Sequence, residues 1–281
     1  MKPFAILIAC VLSLFAALNC SDNPDNFITT NDSFYPVQIG NRWVYNRTFS
    51  TFNVRPDSLR FWFPDTSIAS AVVVEVTGTA TLLDSIKASV FHQTLEEGTL
   101  TQVSDHYYAN RDSGLYFIAY RGPGNVIPKG SSKGKFLFNG IHFDDLKEIT
   151  SYIVQSLPRY RVFSDSLIYE IPPLLSLKYP LSVGSEWTFR PAGRPWRIDK
   201  RVLRKESVQV PAGMYNCFVI QWLYPTETWG SSILFLDYVS EIGLVKRSIL
   251  FKDMIVTGPG GPEQTGLSDN KDESILIRVG F

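Results

Sequence analysis

Apolar and polar residues alternate with a period of two along most of the chain. The runs Ser58 to Phe63, Ala69 to Ala80, Lys87 to Leu95, Thr101 to Tyr108, Leu115 to Tyr120, Lys135 to Phe138, Tyr160 to Tyr169, Arg197 to Val210, Tyr215 to Tyr224, Ile233 to Tyr238, Leu244 to Val256 and Ser274 to Val279 are rich in β-branched and aromatic residues. Gly, Pro, Asn, Asp and Ser bound them. Successive strand side chains point to opposite faces, so runs of this kind predict strands. One segment has a different period. Leu146, Ile149, Ile153 and Leu157 recur at spacings of three and four, behind Asp144 and Asp145 and ahead of Pro158. That pattern predicts a helix over 144–157. The expected fold is all-β with one accessory helix: an antiparallel curved sheet or open barrel.

The plan is written twice. Tyr35-Pro36-Val37-Gln38-Ile39-Gly40-Asn41-Arg42-Trp43-Val44-Tyr45 returns as Tyr179-Pro180-Leu181-Ser182-Val183-Gly184-Ser185-Glu186-Trp187-Thr188-Phe189. Tyr108 to Tyr116, with Gly114-Leu115, returns as Tyr238 to Val245, with Gly243-Leu244, and a Gly-Pro-Gly turn follows each. These repeats predict an internal duplication: one β domain over 32–281, built of halves 32–140 and 177–281, joined by a partly helical crossover over 141–176 that includes Pro172-Pro173. In the motif, Pro fixes φ at the entry, Gly allows the positive φ of a tight turn, and Trp and Tyr/Phe fall on one face of the next strand. The indole is expected to plug an end of the barrel. The alternative makes Trp43, Tyr45, Trp187 and Phe189 the lining of a ligand site.

Residues 1–19 read as a signal peptide: Lys2, then an apolar run from Phe4 to Leu18, then an abrupt polar stretch. The run is too short to span a bilayer. Cys20 stands where bacterial lipoproteins carry their acylated cysteine, although Ala17 and Asn19 depart from the usual Leu and small residue of that pattern. Lipidation at Cys20 would hold the protein to a membrane, with 20–31 as a polar tether. The alternatives are a cut before Cys10, or ordinary cleavage near Ala16 or Ala17 with Cys20 unmodified. Cys217, in an apolar run, is left without a partner and reads as a small buried hydrophobe.

The Tyr-Pro-x-x-x-Gly-x-x-Trp-x-Tyr/Phe motif, Val208-Gln209-Val210-Pro211-Ala212-Gly213-Met214-Tyr215-Asn216-Cys217 and Glu241-Ile242-Gly243-Leu244-Val245-Lys246 together resemble a loose group of β-rich envelope lipoproteins of Bacteroidetes-like bacteria, for which no activity is established. In that group Val-Pro-Ala-Gly-x-Phe forms a hairpin; here Tyr215 replaces the Phe. The group is distantly similar to the Lol-type lipoprotein carriers, whose curved sheet wraps a helix and holds acyl chains. The resemblance implies an address at the cell envelope, periplasmic or on the outer-membrane surface, and, by analogy of fold, a cavity.

Charge and candidate chemistry narrow the function classes. Lys+Arg and Asp+Glu both number 27, so no overall field draws the chain to nucleic acid. A basic cluster of Arg190, Arg194, Arg197, Lys200, Arg201, Arg204 and Lys205 around Trp187 and Trp196 predicts either a patch lying against anionic headgroups or the solvent face of a twisted hairpin. Gly130-Ser131-Ser132-Lys133-Gly134 lacks the strand and helix that a nucleophile elbow needs. His92, His106 and His142 share no ligand spacing, so no metal site is expected, and no cofactor. Asp269 to Glu273 reads as a solvated loop before the last strand. The function expected is a non-catalytic, lipid-anchored envelope protein that binds a hydrophobic or glycan ligand or acts as a carrier. The alternative is a structural or assembly lipoprotein that works through protein contacts and has a filled interior.

Overall fold

The computed structural model describes residues 35–83, 85–122, 136–138, 141–144, 146–154, 167–191, 197–225 and 233–281. The signal segment, Cys20 and the tether lie outside them, as do Arg194, Trp196 and the 130–134 loop. Ser33–Phe281 forms one compact unit. Its strands are β1 (Arg42–Arg55), β2 (Thr66–Leu82), β3 (Ile86–Glu97), β4 (Leu100–Arg111), β5 (Gly114–Arg121), β6 (Phe136–Phe138), β7 (Ile141–Phe143), β8 (Ile168–Lys178), β9 (Glu186–Arg190), β10 (Ile198–Val210), β11 (Gly213–Leu223), β12 (Ile233–Ser240), β13 (Gly243–Thr257) and β14 (Thr265–Gly280), with α1 (Leu146–Val154) between β7 and β8.

All fourteen strands join one antiparallel sheet in the order β8-β5-β4-β3-β2-β1-β14-β13-β12-β11-β10-β9, with β6 added to β13 and β7 to β6. The sheet curls until its ends nearly meet, giving a barrel with an unsealed seam between β8 and β9. Side chains bridge that seam: Trp187 Nε1 donates to the Leu175 carbonyl at 2.9 Å and Lys200 Nζ to the Ser176 carbonyl at 3.0 Å. Prolines lie near the missing ladder. Pro172 and Pro173 lie within β8 and Pro191 follows β9; none has an N–H to offer a neighbouring strand.

Alternation places the core. Phe49, Val54, Phe189, Ile198, Trp222, Phe235, Ile249 and Phe251 pack with Ile149 and Ile153 of α1. Trp43, Tyr45, Val72, Val76, Phe91, Val219, Val245 and Leu276 form a second cluster. The 3.6-residue period that predicted the helix is what lets α1 turn Ile149 and Ile153 inward, both wholly buried. Its start is tied by the Asp144 backbone N–H, which donates to Glu148 Oε2 at 3.1 Å.

Three expectations are corrected. Ser58 to Phe63 is not a strand: Asp57–Phe61 is a short 3-10 helix that follows Pro56 and buries Leu59. Pro fixes the entry, and the apolar residues Leu59 and Phe63 then share one side of a turn. Asp269 to Glu273 is not a loop but the middle of β14, with Asn270 and Asp272 buried; Thr51 donates to Asn270 at 2.8 Å and Arg47 grips Asp272, so burying them leaves no polar group orphaned. Pro172-Pro173, read as part of the crossover, belongs to an edge strand, the place in a sheet where proline is tolerated.

Candidate functional site

The duplicated motifs build one end of the barrel. Each makes the same turn on the strand that follows it in its half. Gly40, at φ +97°, donates to Val76 at 2.9 Å, and Val76 returns a bond to Asn41 at 2.9 Å. Gly184, at φ +84°, donates to Val202 at 2.8 Å, and Val202 returns a bond to Ser185 at 2.9 Å. The left-handed φ is what glycine supplies without strain. The two motifs touch, the Tyr35 backbone N–H donating to Tyr179 Oη at 3.2 Å. Trp43 is fixed by its Nε1 donating to the Ile242 carbonyl at 2.6 Å, and Tyr45 by its hydroxyl donating to the Leu244 carbonyl at 2.8 Å. Trp187, anchored at the seam, is buried in its own cluster with Leu115, Leu177, Val202 and Ile220.

Beyond these plugs the barrel is not filled. A cavity of about 300 Å³ opens in its middle. One wall is a chain of rings across β1, β3, β4 and β5: Trp43 stacks on Phe91 at 5.9 Å, Phe91 meets Tyr108 at 5.1 Å, Tyr108 meets Phe117 at 5.3 Å, and Phe117 stacks on Tyr120 at 6.4 Å between centroids. The facing wall carries charge. Register puts Arg47, Ser274, Arg247 and Asp237 in one row across β1, β14, β13 and β12. Arg47 binds Asp272 through both nitrogens, at 3.0 and 2.7 Å, and Arg247 binds Asp237 likewise at 2.7 and 3.0 Å. Trp222 Nε1 donates to Asp237 at 2.8 Å. Bidentate pairs are the form in which charge is tolerated inside a protein.

Lys200 is placed differently. Its side chain is buried, its ammonium donates to the Ser176 carbonyl, and it lies 3.9 Å from the centre of the Trp222 ring and 4.3 Å from that of Phe189. No carboxylate lies within ion-pair distance of it among the described residues. Burial lowers its pKa to about 7, with Arg247 and Arg190 acting in the same direction and Asp237 against them. Burial likewise lowers His106, on the cavity wall, to about 4, so the imidazole is neutral near pH 7, and pushes the Tyr108 phenol up to about 12. Two further lining groups, Tyr120 Oη and Thr150 Oγ1, are buried without a hydrogen-bond partner among the described residues.

Of the residues singled out from the sequence, Trp43, Tyr45 and Phe189 line the cavity and Trp187 does not. The basic cluster is split by strand alternation together with a bulge between Val202 and Arg204 that turns Arg204 outward. Arg197, Arg201 and Arg204 face outward and pair with Asp199, Glu186 and Glu206 at 2.8, 2.7 and 2.6 Å, which leaves little net charge on that face. Lys200 and Arg190, read as members of a surface patch, are buried instead and face the cavity. Lys200 shares a face with Ile198 and Val202, both wholly buried, and that apolar phase was the available signal. Sequence reasoning missed the whole charged row: Arg47, Asp237, Arg247 and Asp272 occupy inward positions where a polar residue reads as a strand's solvent face. His92 pairs with Asp105 at 2.7 Å away from the cavity lining, and no cluster of possible metal ligands occurs among the described residues. Cys217 is buried, and burial raises its thiol to about 12.

No protein-family model and no curated protein matches the chain. Among solved structures it is similar to a Bacteroides fragilis protein named for export and a YmcC-like fold, at 13% identity over 88% of this chain and 99% of that one, with a TM-score of 0.34. It is also similar to a Parabacteroides distasonis protein named as a candidate lipoprotein, at 12% identity over 88% and 98%, with a TM-score of 0.33. Likeness at this level leaves those names with those proteins.

Proposed function

We propose that this chain is an exported cell-envelope protein, lipid-anchored through Cys20, whose incompletely closed barrel binds a small ligand, hydrophobic in part or a glycan, without catalysing its conversion. The observation that carries the binding half is the cavity: an aromatic wall and fixed polar groups line it, two of which, Tyr120 Oη and Thr150 Oγ1, lack partners among the described residues. Buried polar groups are ordinarily satisfied, and a concave site with an apolar wall and a few converging polar groups is what small-molecule sites look like. An interior built only as scaffold would be packed to the density of a core. The anchor half rests on the apolar run ending at Cys20.

Native mass spectrometry of protein purified gently from its own host tests the binding half: a small adduct lost on mild activation is expected, and a clean apo mass in repeated preparations would reject it. Cys20→Ala tests the other half, since the variant is expected to leave the membrane fraction; retention there would refute the lipid anchor.

A further inference from the structure

The cavity carries unequal charge. Arg47 and Arg247 are each consumed by a carboxylate, Asp272 and Asp237, through two bonds. Arg190 and Glu170, of opposite sign, also line the space. Lys200 is left over: a buried cation held by one carbonyl and two aromatic faces, with two of its three ammonium protons not assigned to any oxygen. An ammonium in such a place is expensive unless something of opposite charge joins it. Nothing in the described chain does, and the group faces an open volume of about 300 Å³.

We propose that the cavity selects a small organic monoanion, a carboxylate on an aromatic or aliphatic body, whose head is received by Lys200 Nζ and whose body lies along Trp43, Phe91, Tyr108 and Phe117. This rests on the ligand-binding reading above and adds the chemical class. One uncompensated cation matches one negative charge; a dianionic phosphate would ask for a second, and the Arg47 and Arg247 guanidiniums are already engaged by Asp272 and Asp237. The hydroxyls of Tyr120 and Thr150, without partners among the described residues, can donate to ligand oxygens. Linkage supplies a signature. With Ser176 of β8, Phe189 and Arg190 of β9, Trp222 of β11, Asp237 of β12 and Arg247 of β13 around it, Lys200 is poised between charged and neutral near pH 7. An anion arriving beside it restores its charge, so binding takes up a proton and weakens as pH rises above about 7.

The test is calorimetry on the full chain in lipid nanodiscs with three probes that share one body: 3-phenylpropionate, 3-phenyl-1-propanol and 3-phenylpropylamine. At pH 7 the acid is expected to bind at least tenfold more tightly than the alcohol, with the amine weakest. Repeating the titration at pH 8 in two buffers of different ionisation heat should show net proton uptake for the acid alone. Lys200→Met should remove both the preference and the uptake, and Lys200→Arg should keep the preference and lose the uptake. Equal binding of acid and alcohol by the unaltered chain, or tighter binding of the amine, overturns the anion inference and leaves the ligand-binding reading standing. Failure of all three probes to bind overturns both. These outcomes are read on the unaltered chain, so the inference stays falsifiable if a Lys200 variant does not fold.

Discussion

Two junctions close this barrel, and only one is sealed. The first copy of the Tyr-Pro…Gly…Trp motif opens β1, which ladders with β14 from Arg42 opposite Gly280 to Arg55 opposite Leu267. The second copy opens β9, flanked by β8 without a ladder. The two begin alike, with the same turn and the same buried indole. They part where β1 continues to Arg55 while β9 stops at Arg190 before Pro191, facing a strand that contains Pro172 and Pro173. The two copies of the motif thus stand at two junctions, and three residues without an N–H lie beside the one that stays open. The cavity lies between: Arg47 and Asp272 border it from the sealed side, and Lys200 and Phe189 from the open one.

The most severe way to break this comparison is to remove the indoles. Trp43→Ala is expected to cost the upper part of the roughly 3–5 kcal/mol usual for a buried Trp, because laddered strands on both sides of β1 prevent collapse into the hole. Trp187→Ala is expected near the lower end of the same range, since a seam can shift to fill space. Urea denaturation of both variants measures the gap; equal losses would mean that the seam is as rigid as the ladder.

A smaller and pH-dependent effect distinguishes how the two sides are held. The open side relies on Lys200, whose folded pKa near 7 lies below its ordinary 10.5. Between those values the unfolded chain holds a proton that the folded chain has released. Stability therefore rises with pH from about 7 to 9, approaching about 1.4 kcal/mol per pH unit once the folded amine is neutral. Chemical denaturation at pH 7, 8 and 9 checks this, and Lys200→Met should lack that rise. A pH-independent midpoint in the unaltered protein would show that the lysine is not desolvated as described.

The gentlest change is to the prolines. Pro191→Val restores one donor beside β9 and is expected to add about 1 kcal/mol at most, with slower amide exchange at Phe189 and Arg190. In the unaltered protein, β9 amides should exchange faster than those of Trp43 to Asn46 in β1. Matching protection would mean that the seam closes in solution.

Strand pattern, helix and repeated turns were legible because each depends on local spacing: period two, period three to four, and Gly five residues after Tyr. The burial of Trp43 and Trp187 followed from their position one strand step inside those turns. The charged interior was not legible. A residue such as Asp272, amid Asn270, Lys271 and Glu273, gives no local sign that its partner is Arg47, more than two hundred positions away. Arg247 and Asp237 face each other across a hairpin, but an outward pair would read identically. Lys200 was the recoverable case, because its neighbours at two positions on either side are Ile198 and Val202.

The same missing donors have a consequence for solubility. A strand edge with free N–H and C=O groups is a template onto which another chain can add, which is how folded sheets begin to polymerise. An open slit in a sheet this long would ordinarily carry that hazard at both lips. Proline at 172, 173 and 191 takes three donors from those lips, which makes them a poorer template for an intruding strand.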